Sequence, residues 1–306
     1  MIVIKDRKKS DLLQGLQILN KRMNLLDRHK KDLYKLEKGL EGELHFDALI
    51  KENLKSDSLI VNDLLINYND TTIQIDSLII TNNAIYLYEV KNYKGTYQLI
   101  NEQFITLHGD EIPDPTLQLK KSSQVIRRFL KDAHSHLPLV THIVFVHPNF
   151  HLYNDQVTSP FIYANQIEDH VNTLNRSTNQ LSHHRYNLAN RLLEHVIVEA
   201  PYQKKLPPFQ LETVKKGVSC KHCETLLTWE NQRNNYCDDC KQVTSIEEAI
   251  LHAVKQYRLL FSESQLTTNR INHWCGETFH LQTIRKVMMK HFQVVGKTRG
   301  TYYIPK

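Results

Sequence analysis

Ile73-Gln74-Ile75-Asp76-Ser77-Leu78-Ile79-Ile80, Thr81-Asn82-Asn83-Ala84 and Ile85-Tyr86-Leu87-Tyr88-Glu89-Val90-Lys91 follow one another without interruption. The outer runs are β-branched and aromatic, and the tetrad between them has turn chemistry, so they predict two neighbouring strands. Asp76 interrupts an otherwise apolar strand. Glu89 and Lys91 stand two residues apart at the end of the next one, which projects them to one face of the sheet. If the strands form a hairpin, Asp76 lands near Glu89 across the ladder. Two carboxylates converging there raise one another's pKa unless a cation joins them. Mg2+ suits them, since it takes one or two carboxylates and completes its octahedron with water and phosphate. Lys91 beside such a site would orient or deprotonate an attacking water and stabilise charge on a scissile phosphate. The chemistry implied is metal-assisted phosphodiester hydrolysis. The plainer reading of the same residues is a turn-capping Asp76 and an exposed Glu89–Lys91 pair.

Working outward, Ser58 to Ile66 reads as a further strand, Gly39 to Asn53 as a helix, and Leu12 to Leu33 as one long amphipathic helix with Leu12, Leu16, Leu19, Met23 and Leu26 along it. On the C-terminal side, Pro113 to Leu130 is helical in pattern, and Thr141 to Val146 is a buried-type strand. Pro160 to Tyr163 adds a short strand, with helices near Ile167–Leu174 and His184–His195. This order of elements predicts one α/β domain.

With these residues in place, the chain resembles the PD-(D/E)xK, restriction-endonuclease-like core, and within it the NERD, or nuclease-related, domain. Gly39-Leu40-Glu41-Gly42-Glu43 is similar to that family's opening GxxGE helix. Gln74-Ile75-Asp76 resembles its x-I-D strand, Glu89-Val90-Lys91-Asn92-Tyr93-Lys94-Gly95 its E-x-K-x-x-x-G segment, and Asp114-Pro115-Thr116-Leu117-Gln118 its N-P-x-x-Q helix start. All four occur in the family's order, and the resemblance covers residues 38–160. It implies Glu43, Asp76 and Glu89 as ligands of a catalytic Mg2+ or Mn2+ or their supports, Lys91 as the catalytic lysine, and Gln118 as a site-lining residue. Ser77 stands where members often carry His, and Asp114 replaces the usual Asn. Taken alone, Glu43 in the first turn after Gly42 would be a dipole-favoured structural acid.

Cys220-Lys221-His222-Cys223 and Cys237-Asp238-Asp239-Cys240 are two C-x-x-C pairs within 21 residues. Two such knuckles complete a tetrahedral four-cysteine shell for a structural Zn2+, with Trp229 and Tyr236 to roof it. The spacing resembles zinc-ribbon and topoisomerase-type zinc-finger modules. A thioredoxin-like redox pair would want a single C-x-x-C on a βαβ unit. His222 and His252 are spare, and Cys275 reads as a buried structural cysteine. The other His residues, among them His147, His151 and His183-His184, scatter without ligand spacing and read as surface residues.

Ser245-Ile246-Glu247-Glu248 has capping-box form and opens a helix to about Leu260. Ser262 to Gln265 repeats the signal for a helix ending near Trp274, and a third helix runs from Phe279 to His291. Ile284, Val287, Met288 and Phe292 line one face of the third, with Thr283, Lys286 and Lys290 opposite and Arg285 at the flank. A hairpin follows, with Lys297 and Arg299 at its Gly-bounded tip. Three helices and such a hairpin resemble a winged helix-turn-helix, in which the third helix enters a groove and the wing touches phosphates. The six polar residues Thr283, Arg285, Lys286, Lys290, Lys297 and Arg299 are the candidate nucleic-acid contacts; a protein-docking role is the alternative. Gly296-Lys297-Thr298 mimics the end of a phosphate loop, but position 291, where the first glycine belongs, is His.

The 306 residues are 41% apolar and 24% charged, which excludes disordered and fibrous classes. No apolar run approaches a membrane span, and the N-terminus turns charged at Lys5, so a cytoplasmic protein without membrane attachment is expected. Residues 1–38 carry 11 Lys/Arg against 5 Asp/Glu, residues 39–203 carry 12 against 19, and residues 244–306 carry 9 against 4. Basic ends around an acidic middle suit a polyanion grip about a cation-binding centre; solvated surface charge is the bland alternative. The expected organisation is an N-terminal helix (1–37), a NERD-type domain (38–203), a linker (204–216), a four-cysteine zinc module (217–243) and a winged-helix-like tail (244–306). The expected fold class is α/β, a restriction-endonuclease-like mixed sheet flanked by helices. The expected activity is metal-dependent nuclease, on DNA in preference to RNA. The rivals are an inactive nucleic-acid-binding or adaptor protein, and a processing role that needs a helicase or repair partner.

Overall fold

The computed structural model describes residues 1–101, 103–154, 160–176, 180–198, 205–228, 234–297 and 300–306. Lys204, Trp229 and Arg299, and the Thr298 of the phosphate-loop mimic, lie outside the described residues. In chain order the elements are β1 (Ile2–Lys5), α1 (Asp11–Arg22), α2 (Asp27–Asn53), β2 (Leu59–Tyr68), β3 (Thr71–Ile80), β4 (Ile85–Lys91), β5 (Gly95–Ile100), β6 (Gln103–Thr106), β7 (Glu111–Ile112) and α3 (Pro115–Asp132). They continue with β8 (Leu139–Phe145), β9 (Phe150–Tyr153), β10 (Phe161–Tyr163), α4 (Ile167–Asn175) and α5 (His183–Leu193). The last third holds β11 (Asn234–Tyr236), β12 (Val243–Ser245), α6 (Ile246–Leu260), α7 (Thr268–Trp274), α8 (Leu281–His291), β13 (Phe292–Val295) and β14 (Tyr302–Pro305). The chain divides into two compact units, Met1–Lys8 with Leu36–Gln203, and Lys9–Lys35 with Lys204–Lys306.

The first unit is built on a mixed six-stranded sheet in the order β1-β2-β3-β4-β8-β10. β2, β3 and β4 are antiparallel neighbours, whereas β1, β8 and β10 pair in parallel. One face packs on Phe46, Ile50 and Leu54 of α2 and Ile167, Val171 and Leu174 of α4. The other packs on Leu119, Val125, Ile126 and Phe129 of α3 and Leu188, Ala189 and Leu192 of α5. This is the expected mixed sheet flanked by helices. A second sheet, β7-β6-β5-β9, was not legible in the sequence, because its strands are short and half-buried and pair across loops.

The alternation of the main sheet breaks at one level. On β2, Leu59 and Val61 face the α3 layer, but beyond the break Leu64 and Ile66 do. On β3, Ile73 and Ile75 face that layer, then Leu78 and Ile80. The register between the two strands holds across the break, so neither strand slips; both shift parity together, with Asp63 in the left-handed region at φ 53°. Asp76 and Ser77 sit at the break, where Ser77 Oγ donates to Asn62 Oδ1 at 2.8 Å.

The single helix expected over 12–33 is two. Ser10 caps α1, accepting from Leu13 N, and the helix closes at Arg22 because the Arg22 carbonyl accepts from Lys215 N at 2.8 Å instead of continuing the ladder. The Arg22 guanidinium is buried 3.9 Å above the Trp274 ring and donates to the carbonyls of Lys215 and Gly217 and to Gln256 Oε1. Burial pushes its pKa down to about 10. Nothing in a hydrophobic period announces such a distant partner. In the same unit the Ser245–Glu248 capping box forms as expected. The next helix starts at Thr268, capped by Thr267, and not from the Ser262–Gln265 signal, because Leu266 is drawn into a bridge with Tyr303, whose N–H donates to the Leu266 carbonyl.

Candidate active site and candidate metal centre

The β3–β4 ladder pairs Ile80 with Ile85 and ends at Ser77 with Tyr88, so Asp76 and Glu89 occupy the next opposed positions. There the strands part, and Asp76 Oδ2 accepts the Val90 N–H at 2.7 Å in place of a main-chain carbonyl. Asp76 and Glu89 are only 5% and 1% exposed. The exposed Glu–Lys pair and the turn cap are therefore both excluded. Lys91 Nζ donates to Glu89 Oε1 at 2.5 Å and to Gln118 Oε1 at 3.3 Å. Gln118 lies in the first turn of α3, which Asp114 caps by accepting from Thr116 N. The Asp at the position where the resembled family carries Asn thus serves as an N-cap, a role either residue fills.

Glu43 reaches the same region from α2. A methyl group on Gly42 would stand 2.5 Å from Asn92 Cβ, so only glycine lets the helix approach the strand end this closely. Asn92 Nδ2 donates to the Lys38 carbonyl at 2.9 Å across that contact. The residue that sequence reasoning missed is Arg7. Its side chain, 2% exposed, donates from Nη1 to Glu43 Oε2 at 2.7 Å, from Nε and Nη2 to Asp47, and from Nη2 to the Asp76 carbonyl at 2.7 Å. It sits just past β1, and the β-branched Ile2-Val3-Ile4 was the signal that this segment begins a strand and not a helix.

Burial is the first cause of every shift here; a neighbouring acid comes next for Glu43, Glu89 and Lys91, and the Lys91 charge comes next for Asp76. Glu89 is pushed up to about 8 by burial and then by Asp76, and Glu43 up to about 7 by the same two causes in the same order. Asp76 is raised, chiefly by burial. Burial opposes the Lys91 ammonium, but Glu89 and Asp76 outweigh it and hold its pKa above the usual range. Buried acids held toward the neutral form are what a divalent cation relieves, and hard carboxylate oxygens are the donors Mg2+ and Mn2+ take. Among the described residues only the four cysteines form a close-set group of three or more metal-ligating side chains. The acids therefore offer a partial shell, of the kind that leaves positions for water and phosphate.

The second unit holds the other candidate metal centre. The Sγ atoms of Cys220, Cys223, Cys237 and Cys240 lie within 4.8 Å of one another, with 3.5 Å between Cys220 and Cys240 and between Cys223 and Cys237. Zinc held tetrahedrally by sulfur at about 2.3 Å places the sulfurs about 3.8 Å apart, which this set fits. The two knuckles repeat one turn: Glu224 N donates to the Cys220 carbonyl and Lys241 N to the Cys237 carbonyl, with Glu224 and Lys241 both in the left-handed region. His252 pairs with Glu224 at 3.0 Å and takes no part. Tyr236, expected as a roof, is 50% exposed.

Downstream, α6, α7 and α8 pack through Ile250, Tyr257, Ile271, Trp274, Ile284 and Met288, and β13–β14 forms the expected hairpin. Arg285, Lys286 and Lys297 are exposed and Thr283 is half-buried. Lys290 is paired with Glu247 at 2.7 Å. Cys275 is buried, as expected, and burial pushes its thiol up to about 12.

The first unit is thus an α/β protein whose mixed sheet, flanked by helices, gathers acids and a lysine where its central strands part. Residues 38–147 match the family model of the nuclease-related domain, NERD, a match that suggests a nuclease-related function for that part of the chain. No curated protein and no solved structure matches the chain.

Proposed function

We propose that the protein is a metal-dependent nuclease that hydrolyses phosphodiester bonds, in DNA in preference to RNA, in processing, repair or defence. The supporting observation is the buried Asp76–Glu89 pair with Lys91 held between Glu89 and Gln118. Asp76 and Glu89 would hold Mg2+ or Mn2+, which supplies charge neutralisation at the phosphate. Lys91, held as the ammonium, would orient an attacking water and meet the developing charge, Gln118 aims that ammonium, and Arg7 fixes Glu43 beside them. The four-cysteine centre would hold a structural Zn2+. The C-terminal tail would act as a winged helix gripping the strand through Thr283, Arg285, Lys286, Lys290, Lys297 and Arg299. The expected compartment is the cytoplasm; a helicase or repair partner belongs to the rival processing role.

The test is cleavage of a panel of DNA and RNA by purified protein in Mg2+ or Mn2+, beside Glu89→Ala prepared identically. Cleavage that the variant lacks is expected; equal cleavage by both would mark a contaminant. One observation favours the rival reading, a binding or adaptor protein: Lys91 and Arg7 already pair with Glu89 and Glu43, so the acids have internal counter-charges. That reading predicts no cleavage, and tight salt-sensitive binding unchanged by Glu89→Ala.

A further inference from the structure

At the start of β4 and β8, the end of the sheet away from Glu89 and Lys91, the first unit opens into two cavities of about 640 and 510 Å3 that share the wall His134–Pro138. Arg127 and Lys131 of α3 and Arg185 and Arg191 of α5 line them. Three imidazoles, from His134, His136 and His184, add to the rim, and among the described residues no acid lines either cavity. This is a third of the Lys/Arg of an otherwise acidic stretch, since residues 39–203 carry 12 of them against 19 Asp/Glu. Such segregation is not what a solvated, charge-mixed surface shows.

Arg185 is the anchor. One Nη atom donates to the Asn82 carbonyl at 2.8 Å, while its Nε–H is buried and has no acceptor among the described residues. A buried charged donor left unmade costs free energy unless a ligand supplies the acceptor. The N-terminus of α5 opens beside it, with no side-chain cap from Ser182 and no acid in the first turn. Both features ask for an anion with several oxygens.

We infer that this cationic cleft is a phosphate-binding site that takes the sugar–phosphate backbone of nucleic acid at a second point, remote from the acidic centre. The inference rests on the nucleic-acid reading of this unit, but its own readout is binding, not cleavage. β4 runs from Ile85 beside the cleft to Lys91 at the acids. Seven residues of strand span about 20 Å, or about six nucleotides of backbone. A strand bound at both points must be longer than that, whereas a short strand can occupy the cleft alone.

The experiment measures binding of labelled single strands of about 6 and about 24 nucleotides to the full chain, without added divalent ion, across about 50 to 200 mM salt. Lys131→Glu/Arg191→Glu reverses two exposed charges, and Arg185→Gln removes the anchor; melting curves confirm that each folds. The double reversal is expected to weaken binding of the longer strand about tenfold and to lower its salt slope by about 1.5 to 3, and to weaken the short one in the same direction. Arg185→Gln is expected to act in the same direction. Unchanged binding of the longer strand would overturn the inference. So would a free-phosphate site, read as stabilisation by inorganic phosphate that Arg185→Gln abolishes while strand binding stays the same. If the wild type binds as expected but cleaves nothing, the cleft stands and the nuclease reading falls; if it cleaves but its binding ignores the reversals, the nuclease reading stands and the cleft falls.

Discussion

The acidic centre of the first unit and the thiol centre of the second both gather candidate metal ligands, yet they are assembled differently. The four cysteines come from two near-identical turns, each closed by its own main-chain hydrogen bond. The acids come from a helix, two strands and a shifted sheet level, braced by Arg7 from the far N-terminus and by Gln118 from α3. The first arrangement would be held by a metal, because little else in so small a module could hold it. The second is held by the core on both sides of the sheet, and it carries its buried acids at the expense of that core's stability. A structural ion and a catalytic ion should therefore differ most in what their loss does to folding.

Cys237→Ser is expected to have the largest effect. Bound zinc should disappear and residues 217–243 lose protection from hydrogen exchange, a metal-linked free energy of about 10 kcal/mol, while the first unit keeps its protection. Zinc retained at the wild-type level would break the comparison. Lys91→Ala should lower cleavage by about 10²- to 10⁴-fold at unchanged thermal stability or better, since the site and not the fold needs that ammonium. An unfolded variant would make Lys91 structural after all.

Arg22→Met, in the second unit, should cost about 2–4 kcal/mol, because it strips the carbonyls of Lys215 and Gly217 of their donor inside a dry core. A chemical-denaturation midpoint measures it. The acids of the first unit should show the opposite sign of dependence from ordinary surface carboxylates. Unfolded glutamates titrate near 4.3, but Glu43 and Glu89 keep their protons up to about 7 and about 8 in the folded unit. Their contribution to stability is thus full below pH 4.3 and is lost as pH rises through 7 and 8. Glu89→Gln should lose less melting temperature than wild type between pH 5.5 and 8.5, and Mg2+ or Mn2+ should stabilise wild type more at the alkaline end. A parallel decline in both proteins would mean that Glu89 is already ionised.

The smallest effects come from the two glycines of the GxxGE motif, which the structure separates. Gly42→Ala forces a methyl into Asn92 and should cost about 1–3 kcal/mol. Gly39 has open space around its Cα, so Gly39→Ala in the helix interior should stabilise by about 0.5–1 kcal/mol. Equal effects at both positions would show that the close approach is not a constraint.

Much of this was legible beforehand because it is local. Period-2 runs marked β2, β3 and β4, spacing marked the zinc knuckles, and Ser245–Glu248 marked the start of α6. Boundaries failed where a distant group intervened: Lys215 takes the Arg22 carbonyl and ends α1, and Tyr303 takes the Leu266 carbonyl and delays α7.

From sequence alone came the candidate ligand types, the order of β2, β3, β4, α3 and β8, the opposed placing of Asp76 and Glu89 and the resemblance that the family match bears out. These follow from residue chemistry and short-range periodicity, which a linear chain carries in full. Only the tertiary structure brought Arg7 to Glu43 across 36 residues, shifted both β2 and β3 at the level of Asp76, and collected four cations from α3 and α5 around one cleft. Such meetings depend on how a sheet and its covering helices pack. Packing sums weak contacts over the whole core, so no short stretch of sequence encodes it.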